Sequence, residues 1–451
     1  MRRAQLANPE LFPPKAMKRL IWPLMVEQLL AILIGMADTV MVSSAGEAAV
    51  SGVSLVDSLN VVLINLFSAL ATGGAVVTAQ YIGRRDEKSA RSSAKQLLYA
   101  SAALSLLLAG IAIAFHRLLL RGIYGSIDDD VMANAQTYFL LSAVSYPFLA
   151  IYNSGAALFR SMGNSRISML ISLLMNLINI GGNALLIYGF SMGGAGAAIA
   201  SLAARAAAAV LITVLIMKPR YPIHIDSLFR PELRWGMVRS ILKVGIPNAI
   251  ENSMFQIGKI LTMGLVSAMG TAAIAANAIA GSVAGISGIP GGAICLGVVT
   301  VMGQCVGARD YEQAVYYTKR LVKIAYLCLL ATNLLIFCFA GVLVPLFGLS
   351  KEATVSAEEI LRVFALFSAT IWIPSFVMPS ALRAAGDAHG TMIISAFSMW
   401  VFRVGFSYLF VSLGMGVQGV WAGMYVDWLV RGIIYVTRFM RGKWKKMHVI
   451  E

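Results

Sequence analysis

The chain carries one short sequence twice, as WPLMVEQ at residues 22–28 and as IPNAIEN at residues 246–252. In both copies a glutamate follows a proline by one helical turn, as Pro23 with Glu27 and as Pro247 with Glu251. The offset that takes position 22 to position 246 also aligns QYIGRRD at 80–86 with QCVGARD at 304–310. Because one ungapped register joins these positions, we predict that the chain contains an internal duplication.

The composition is that of a membrane protein. Hydrophobic residues make up 59% of the 451 residues, charged residues make up 13%, and the mean hydropathy is +0.78. Soluble domains carry about 25% charged residues. Apolar runs of about 20 residues, long enough to cross a bilayer as a helix, recur along the whole chain. A membrane barrel would instead show alternating segments of about 10 residues.

We therefore predict an all-α polytopic membrane protein with twelve transmembrane helices in two parallel, pseudo-symmetric six-helix lobes. The N-terminal lobe is predicted over 1–217, a cytoplasmic linker over 218–236, and the C-terminal lobe with a short basic tail over 237–451. The twelve predicted spans are 17–43, 50–80, 93–118, 132–158, 166–190, 195–217, 238–268, 273–303, 320–346, 357–382, 391–413 and 417–438. Membrane proteins with such an internal duplication are typically secondary transporters, whose substrate sites lie near the bilayer midplane.

The net charge of +15 is concentrated on one side of the predicted membrane. Of the 36 lysines and arginines, 28 lie in the two tails and in alternate connectors, Arg2 and Arg3 among them. By the positive-inside rule, both termini are expected in the cytoplasm of a multi-pass inner-membrane protein. Anionic lipid headgroups explain this basic side better than a nucleic-acid partner does.

The first span carries two carboxylates, Glu27 and Asp38, which a helix would project from nearly the same face. A charge inside a membrane helix is costly, so each is a candidate functional group. Asp38 is predicted to bind H⁺ or Na⁺, and the alternative is a carboxylate held by hydrogen bonds between helices. Glu27 either lines a substrate or gating site or serves the scaffold, since the second copy repeats it. Pro23 removes a backbone hydrogen bond and permits bending of this span.

The fifth span contains Asn176, Asn179 and Asn183, of which the last two share a helix face. They either line the same cavity as Asp38 or hydrogen-bond a neighbouring helix.

The second lobe has its own candidates for a substrate or gating site. They are Glu251, Gln256 and Lys259, and Lys259 either neutralises Glu251 or faces a cavity. Asp427 and Arg431 are expected to pair at i, i+4. The lone cations Arg205 and Arg403 are expected to pair with carboxylates rather than to contact substrate.

The sequence contains no motif for nucleotide binding, metal binding or catalysis. The glycine-rich runs lie inside apolar spans without the Gly-Lys-Ser/Thr ending of a phosphate loop, so we exclude nucleotide binding. The four histidines have no metal-ligand spacing, and no catalytic constellation is present. We therefore expect no enzyme activity and no cofactor beyond a coupling ion.

Several of these motifs resemble the multidrug and toxic compound extrusion (MATE) family, and more closely its DinF-like bacterial branch than its NorM branch. The resemblance covers residues 15–440 and rests on the proline at the head of spans one and seven, on the paired motifs quoted above, on GMADT at 35–39 and on LFRSMGN at 158–164.

The resemblance implies export of small amphiphilic or cationic organic substrates by exchange for H⁺ or Na⁺, by a protein that we expect to be a monomer. The family's coupling residues fall on Asp38, Asn179, Asn183 and Ser201, which makes the first three candidate Na⁺ ligands. Asn183 replaces an aspartate that is frequent in the family. Because an amide does not titrate, Asp38 is left as the main titratable group there. A lipid-linked oligosaccharide flippase of the same superfamily, or a receptor without transport activity, is the alternative.

Overall fold

The computed structural model describes residues 10–125, 128–226, 228, 230 and 232–450. Arg2, Arg3 and three positions of the predicted linker, 227, 229 and 231, lie outside the described residues. All regular secondary structure in the described residues is helical.

The helices are named in chain order. They are α1 (Pro14–Ser43), α2 (Glu47–Gly83), α3 (Glu87–Tyr124), α4 (Asp129–Ser161), α5 (Ser165–Asn183) with a π-helical end (Ala184–Gly189), α6 (Gly193–Ile216), α7 (Trp235–Ser267), α8 (Thr271–Ser287), α9 (Ile289–Gly307), α10 (Tyr311–Leu343) with a 3₁₀ end (Val344–Phe347), α11 (Lys351–Ala384), α12 (Ala388–Ser398), a π-helical segment (Met399–Val404) that continues into α13 (Gly405–Ser412), α14 (Gly416–Met440) and a 3₁₀ turn (Lys443–Lys446).

The predicted spans fall on these helices, and most begin several residues inside them. The predicted span 273–303 differs, because it is divided at Gly288 between α8 and α9. Nine of the helices in the described residues are long and apolar enough to cross a membrane by length and composition. The helices α4, α7 and α14 are not among the nine, and α8 is a shorter apolar helix. The protein is thus an all-helical, multi-pass membrane protein, and the count of twelve spans stays a prediction.

The chain divides into two compact units. The N-terminal unit is Lys15–Ile246, and the C-terminal unit combines Met1–Pro14 with Pro247–Glu451. The division falls inside α7, directly before Pro247. The predicted lobe boundaries at 217 and 237 stay a prediction.

The duplication is visible in the connections between helices. Gly46 before α2 and Gly270 before α8 have φ values of 99° and 97°, a conformation that glycine adopts without strain. Asp86 caps α3 by accepting a hydrogen bond from Ser89 N at 3.0 Å, and Asp310 caps α10 by accepting one from Gln313 N at 3.0 Å. The offset between the two sequence copies thus relates equivalent turns as well as equivalent sequences.

The N-terminal unit is organised around α4, against which α2, α3 and α6 pack. Buried aromatic rings of Phe67 and Tyr146 lie 6.1 Å apart between α2 and α4, and the Ser101 and Ser154 hydroxyls meet at 2.6 Å between α3 and α4.

A side chain of α3 holds the segment that leads into α7. The Gln96 amide donates to the Glu232 carbonyl at 2.6 Å, and the Gln96 side-chain oxygen accepts from Arg234 N at 3.1 Å. The segment is therefore fixed to the N-terminal unit by its backbone.

The C-terminal unit is organised around α11, which packs against α8, α9, α10 and α14. The Phe364 ring meets the rings of Trp421 and Trp428 edge-on at 5.8 and 6.2 Å.

The segment before α1 also lies in the C-terminal unit. Leu11 N donates to Gln313 Oε1 at 2.9 Å and Phe12 N donates to the Tyr317 hydroxyl at 3.1 Å. Phe12 is buried, and its ring meets the Tyr317 ring edge-on at 5.9 Å.

The repeated caps give a first test. We expect Asp86→Ala and Asp310→Ala each to destabilise the protein by about 1 kcal/mol, because each leaves an amide at a helix start without its acceptor. Asp128→Ala is the matched control, since Asp128 precedes α4 without forming a side-chain cap. Thermal unfolding in detergent measures the difference. Equal stability of all three variants would contradict the repeated turn geometry.

Candidate functional site

A polar cluster lies among α1, α5 and α6 of the N-terminal unit. Asn183 Nδ2 donates to Asp38 Oδ1 at 2.5 Å and also reaches Asn179 Oδ1 at 3.4 Å. Asn179 Nδ2 in turn donates to Ser201 Oγ at 2.9 Å. The structure therefore brings together the four residues that the sequence predicts for cation coupling.

The cluster has unused acceptor capacity. Both amides are buried, at 1% exposure for Asn179 and 0% for Asn183. Asn183 Oδ1 has no hydrogen-bond partner among the described residues. A buried oxygen without a partner is costly, and it is the atom type that a small cation or a protonated carboxyl would satisfy. The donor set of carboxylate, amide and hydroxyl oxygens thus fits H⁺ or Na⁺.

Pro23 lies in the part of α1 near its start. A proline cannot donate to the carbonyl one turn earlier, which here belongs to Arg19. Ser165 at the start of α5 fills the gap: its hydroxyl donates to the Arg19 carbonyl at 3.2 Å and to the Leu20 carbonyl at 2.6 Å. The proline is accommodated within a continuous α1, with the freed backbone group bound by α5.

Glu27 is held by two neighbours. Arg160 Nη1 donates to its Oε1 at 2.7 Å, and Ser168 Oγ donates to its Oε2 at 2.7 Å. Ser168 lies on α5, as does the partner of Asp38, so the two carboxylates of α1 face the same helix as predicted.

The second copy repeats this arrangement. Arg383 Nη1 donates to Glu251 Oε2 at 2.6 Å, and Ser395 Oγ donates to Glu251 Oε1 at 2.8 Å. Both glutamates are therefore in matched, largely buried ion pairs. This geometry agrees with the scaffold alternative, and their assignment to a gating or substrate site stays a prediction.

A second polar network in the N-terminal unit was not predicted from the sequence. Asp57 Oδ1 accepts hydrogen bonds from Asn60 Nδ2 and from the Tyr138 hydroxyl, both at 3.2 Å. Asn60 also accepts from the Tyr146 hydroxyl at 2.8 Å. The i, i+3 spacing of Asp57 and Asn60 on α2 is the signal that could have indicated it.

Arg205 lies near this network. Its Nη1 donates to Ser145 Oγ at 2.6 Å, and its charge acts on both Asp38 and Asp57. No carboxylate lies within ion-pairing distance of Arg205 in the part of the chain that the structure describes. The expected direct pairing is therefore wrong, because a serine on α4 is the nearer acceptor.

Three candidates on α7 lie in the C-terminal unit. Gln256 is partly exposed and Lys259, one turn later, is exposed. The carboxylate of Glu251 is occupied by Arg383, and none of the described carboxylates forms an ion pair with Lys259. Lys259 Nζ lies instead 5.9 Å from the Phe255 ring centroid. Of the two predicted environments for Lys259, neutralisation of Glu251 is excluded.

Asp427 and Arg431 form the predicted i, i+4 pair, with Arg431 Nη2 and Asp427 Oδ2 3.9 Å apart and both side chains buried. Ser398 Oγ donates to Asp427 Oδ1 at 2.5 Å. Arg403 does not form an ion pair with any described carboxylate; its guanidinium lies 5.1 Å from the Phe255 ring centroid. Pairing was therefore predicted correctly for Arg431 and wrongly for Arg403.

The doubled helical organisation, with polar clusters inside apolar helices, defines a polytopic membrane protein of the transporter class. The chain belongs to the MatE family, since the family model matches it twice, over residues 23–185 and 247–409. The two matches begin at Pro23 and Pro247 and so reproduce the offset between the two copies in the sequence.

Known proteins similar to the chain support this membership. It is 27% identical over 444 residues to a "Probable multidrug resistance protein NorM" of Thermotoga maritima, covering 97% of this chain and 94% of that protein. Two solved MATE structures, described as being in the bent and in the straight conformation, each share 24% identity and a TM-score of 0.89. Both alignments cover 96% of this chain, and they cover 96% and 97% of the bent and the straight structure, respectively. They show that this chain has the same fold. The branch within the family stays a prediction.

The matched ion pairs give a second test. We expect Glu27→Gln to destabilise the protein by about 3–5 kcal/mol, because it removes the carboxylate that compensates the largely buried Arg160. Glu251→Gln is expected to act alike on Arg383. The control is Glu87→Gln, whose pair with Arg91 is exposed and worth about 0–1 kcal/mol. Unfolding in detergent is the measurement, and equal losses for Glu27→Gln and Glu87→Gln would contradict the structural role.

Proposed function

We propose that the protein is a secondary active multidrug efflux transporter that exchanges H⁺ or Na⁺ for small amphiphilic or cationic organic substrates by alternating access. The observation that carries the proposal is the Asp38–Asn183–Asn179–Ser201 cluster, which combines one partly buried carboxylate with buried amides and a hydroxyl group. Family membership and the names of the relatives support the same class of substrate.

The chemistry of coupling follows from Asp38 and Asn183. In the unloaded cluster, the Asn183 amide N–H donates to the carboxylate. When Asp38 takes up a proton, its hydroxyl becomes a donor, and a flip of the amide that exchanges its nitrogen and oxygen offers Oδ1 as the acceptor. The same flip would offer that oxygen to Na⁺ together with the carboxylate. Either ion thus gives the buried Oδ1 of Asn183 a partner.

The proposed coupling acts through α1. Asp38 and Glu27 both bind α5, and Pro23 leaves one turn of α1 dependent on Ser165 for its hydrogen bond. Loading of Asp38 weakens its charge-assisted bond to Asn183, so α1 bends or shifts relative to α5. A substrate that prefers the unloaded state is then released on loading, and exchange requires only this difference in affinity between two states.

The architecture belongs to the same proposal. Twelve spans in two parallel lobes, 1–217 and 237–451 joined by 218–236, place both termini in the cytoplasm. The protein acts as a monomer in the inner membrane, with its basic side against anionic lipid headgroups. Glu27, Pro23, Glu251, Gln256 and Lys259 are the proposed substrate or gating residues.

We expect Asp38→Asn to abolish gradient-driven efflux of a cationic dye from proteoliposomes, because an amide cannot load a proton and carries no charge for Na⁺. The pH gradient and the Na⁺ gradient are imposed separately, which identifies the coupling ion. Asp128→Asn, an exposed carboxylate at the start of α4, is the matched control. Folding is checked by unfolding temperature, and normal efflux by folded Asp38→Asn would overturn the coupling role.

Reporter fusions test the orientation. A green fluorescent protein fused after Ile450 is expected to fluoresce in a bacterial host, and alkaline phosphatase fused there is expected to be inactive. Fusion at Ser350, before α11, is expected to give the reverse pair of results. Active phosphatase at the C-terminus would contradict the cytoplasmic placement.

A lipid-linked oligosaccharide flippase remains the alternative, favoured by the cations Lys259 and Arg403. A pyrophosphate carries several negative charges and would need more cations than these two, and Arg205 is already hydrogen-bonded to Ser145. Dye efflux by the reconstituted protein favours the multidrug proposal. Scrambling of a fluorescent lipid pyrophosphate without dye efflux would replace it with the flippase.

A further inference from the structure

The C-terminal unit contains a close approach between α7 and the π-helical segment Met399–Val404. Gly258 makes it possible, because a Cβ at this position would overlap the Met399 side chain. Segments of π-helix inside α-helices are frequent at functional sites. The residues on either side of this contact, Lys259 on α7 and Arg403 on the π segment, are both cations.

The two cations share one aromatic ring. Lys259 Nζ lies 5.9 Å and the Arg403 guanidinium 5.1 Å from the Phe255 ring centroid. Like charges held beside one ring repel each other. A cation–π contact contributes only about 0.5–2 kcal/mol, so the ring alone does not compensate two positive charges.

Neither Glu251 nor Asp427 forms an ion pair with Lys259 or Arg403. Glu251 binds Arg383 and Ser395. Asp427 Oδ1 accepts from Ser398, and its Oδ2 lies 3.9 Å from Arg431 Nη2 without a hydrogen bond among the described residues. Arg403 Nη1 is buried and has no hydrogen-bond partner among the described residues. A buried guanidinium N–H without an acceptor, on a side chain that shares an aromatic ring with a second cation, indicates an anionic ligand.

The aligned positions of the two copies differ in charge: this site is cationic, and the Asp38 cluster is acidic. The offset of 224 residues aligns Lys259 with Gly35, one turn before Asp38. Near the ends of the halves the offset is 223, as between Arg160 and Arg383, and it aligns Arg403 with Ile180, next to Asn179. The equivalent pair of helices therefore carries acid and amide groups in one unit and basic and aromatic groups in the other.

We propose that Lys259, Arg403 and Phe255 form a binding site for the anionic group of an amphiphile: a carboxylate, sulfonate or phosphate monoanion attached to an apolar or aromatic body. The planar guanidinium binds two oxygens of such a group, and the lysine adds a mobile charge. The Phe255 ring packs against the apolar body. The site gives Lys259 a class of ligand that the proposed efflux function does not assign to it, and binding there requires no transport step.

Binding of radiolabelled naphthalene-2-sulfonate to the full chain in neutral phosphatidylcholine nanodiscs tests the site. Saturable binding is expected, and the neutral 2-naphthyl methyl sulfone is expected not to compete. Lys259→Met and Arg403→Gln should each weaken binding by about tenfold, the effect of one lost charge-assisted hydrogen bond. Arg403→Lys should retain part of the affinity, since it keeps the positive charge but cannot bind two oxygens as the planar guanidinium does.

Two control variants make the same charge changes elsewhere in the C-terminal unit. Lys319→Met removes an exposed lysine of α10, and Arg362→Gln removes a half-exposed arginine paired with Glu358. Both are expected to bind the sulfonate like the unchanged protein. Equal affinity of Lys259→Met, Arg403→Gln and the controls, with all variants folded, would overturn the proposal.

A parallel arm distinguishes a soluble anion from a lipid headgroup. Nanodiscs with one-third phosphatidylglycerol are prepared, and the lipids retained on the protein are counted by native mass spectrometry. Phosphatidylglycerol retained by the unchanged protein and lost from Lys259→Met supports the site with a lipid ligand. Unchanged sulfonate affinity in these nanodiscs supports it with a soluble one.

Asp38→Asn separates this inference from the proposed function. The variant lies in the N-terminal unit, and it is expected to bind the sulfonate normally while losing efflux. Loss of sulfonate binding in Arg403→Gln with efflux of the cationic dye retained would support the site independently of transport. Absence of sulfonate binding by the unchanged protein would overturn the site and leave the coupling role of Asp38 standing.

Discussion

Polar groups inside the apolar helices must find partners within the protein, because the bilayer offers none. This constraint accounts for the contacts that hold α1. Pro23 frees a backbone carbonyl, and Ser165 on α5 donates to it. Glu27 requires a cation and finds Arg160. Among the described residues Asn183 Oδ1 and Arg403 Nη1 lack such a partner, and each belongs to one of the two proposed sites.

The two copies share some of their polar contacts and differ in others. The glutamate–arginine–serine arrangement near the start of α1 and α7 is nearly the same in both, as are the aspartate caps of α3 and α10. The polar groups further along these helices have diverged, since Asp38 aligns with Thr262 and Asn179 with Phe402. A scaffold contact must be present in each unit for that unit to pack, whereas a ligand site is needed only once.

Much of this could be predicted from the sequence, because it depends on local spacing or on the repeat. The helices follow from long apolar runs, and the common face of Glu27 and Asp38 follows from helix geometry. The pair of Asp427 with Arg431 was also predictable from its i, i+4 spacing. For Asn183 the residues alone left the partner open, and the family resemblance grouped it with Asp38. The environments of Arg205 and Arg403 were not predictable. A long side chain reaches several neighbours, and which acceptor lies nearest depends on tertiary packing, as Ser145 shows. The π-helical segments likewise depend on packing and have no signal in the sequence.

The segments that precede α1 and α7 show how the two halves depend on each other. Residues 11 and 12 belong to the first half of the chain and dock on Gln313 and Tyr317 of α10, in the second half. The chain before α7 leads into the second half and docks on Gln96 of α3, in the first. The segment that precedes each half of the chain thus packs in the compact unit formed mainly by the other half, as exchanged segments do in a domain-swapped dimer. Each compact unit is therefore completed by a segment that adjoins the other copy of the repeat in the sequence.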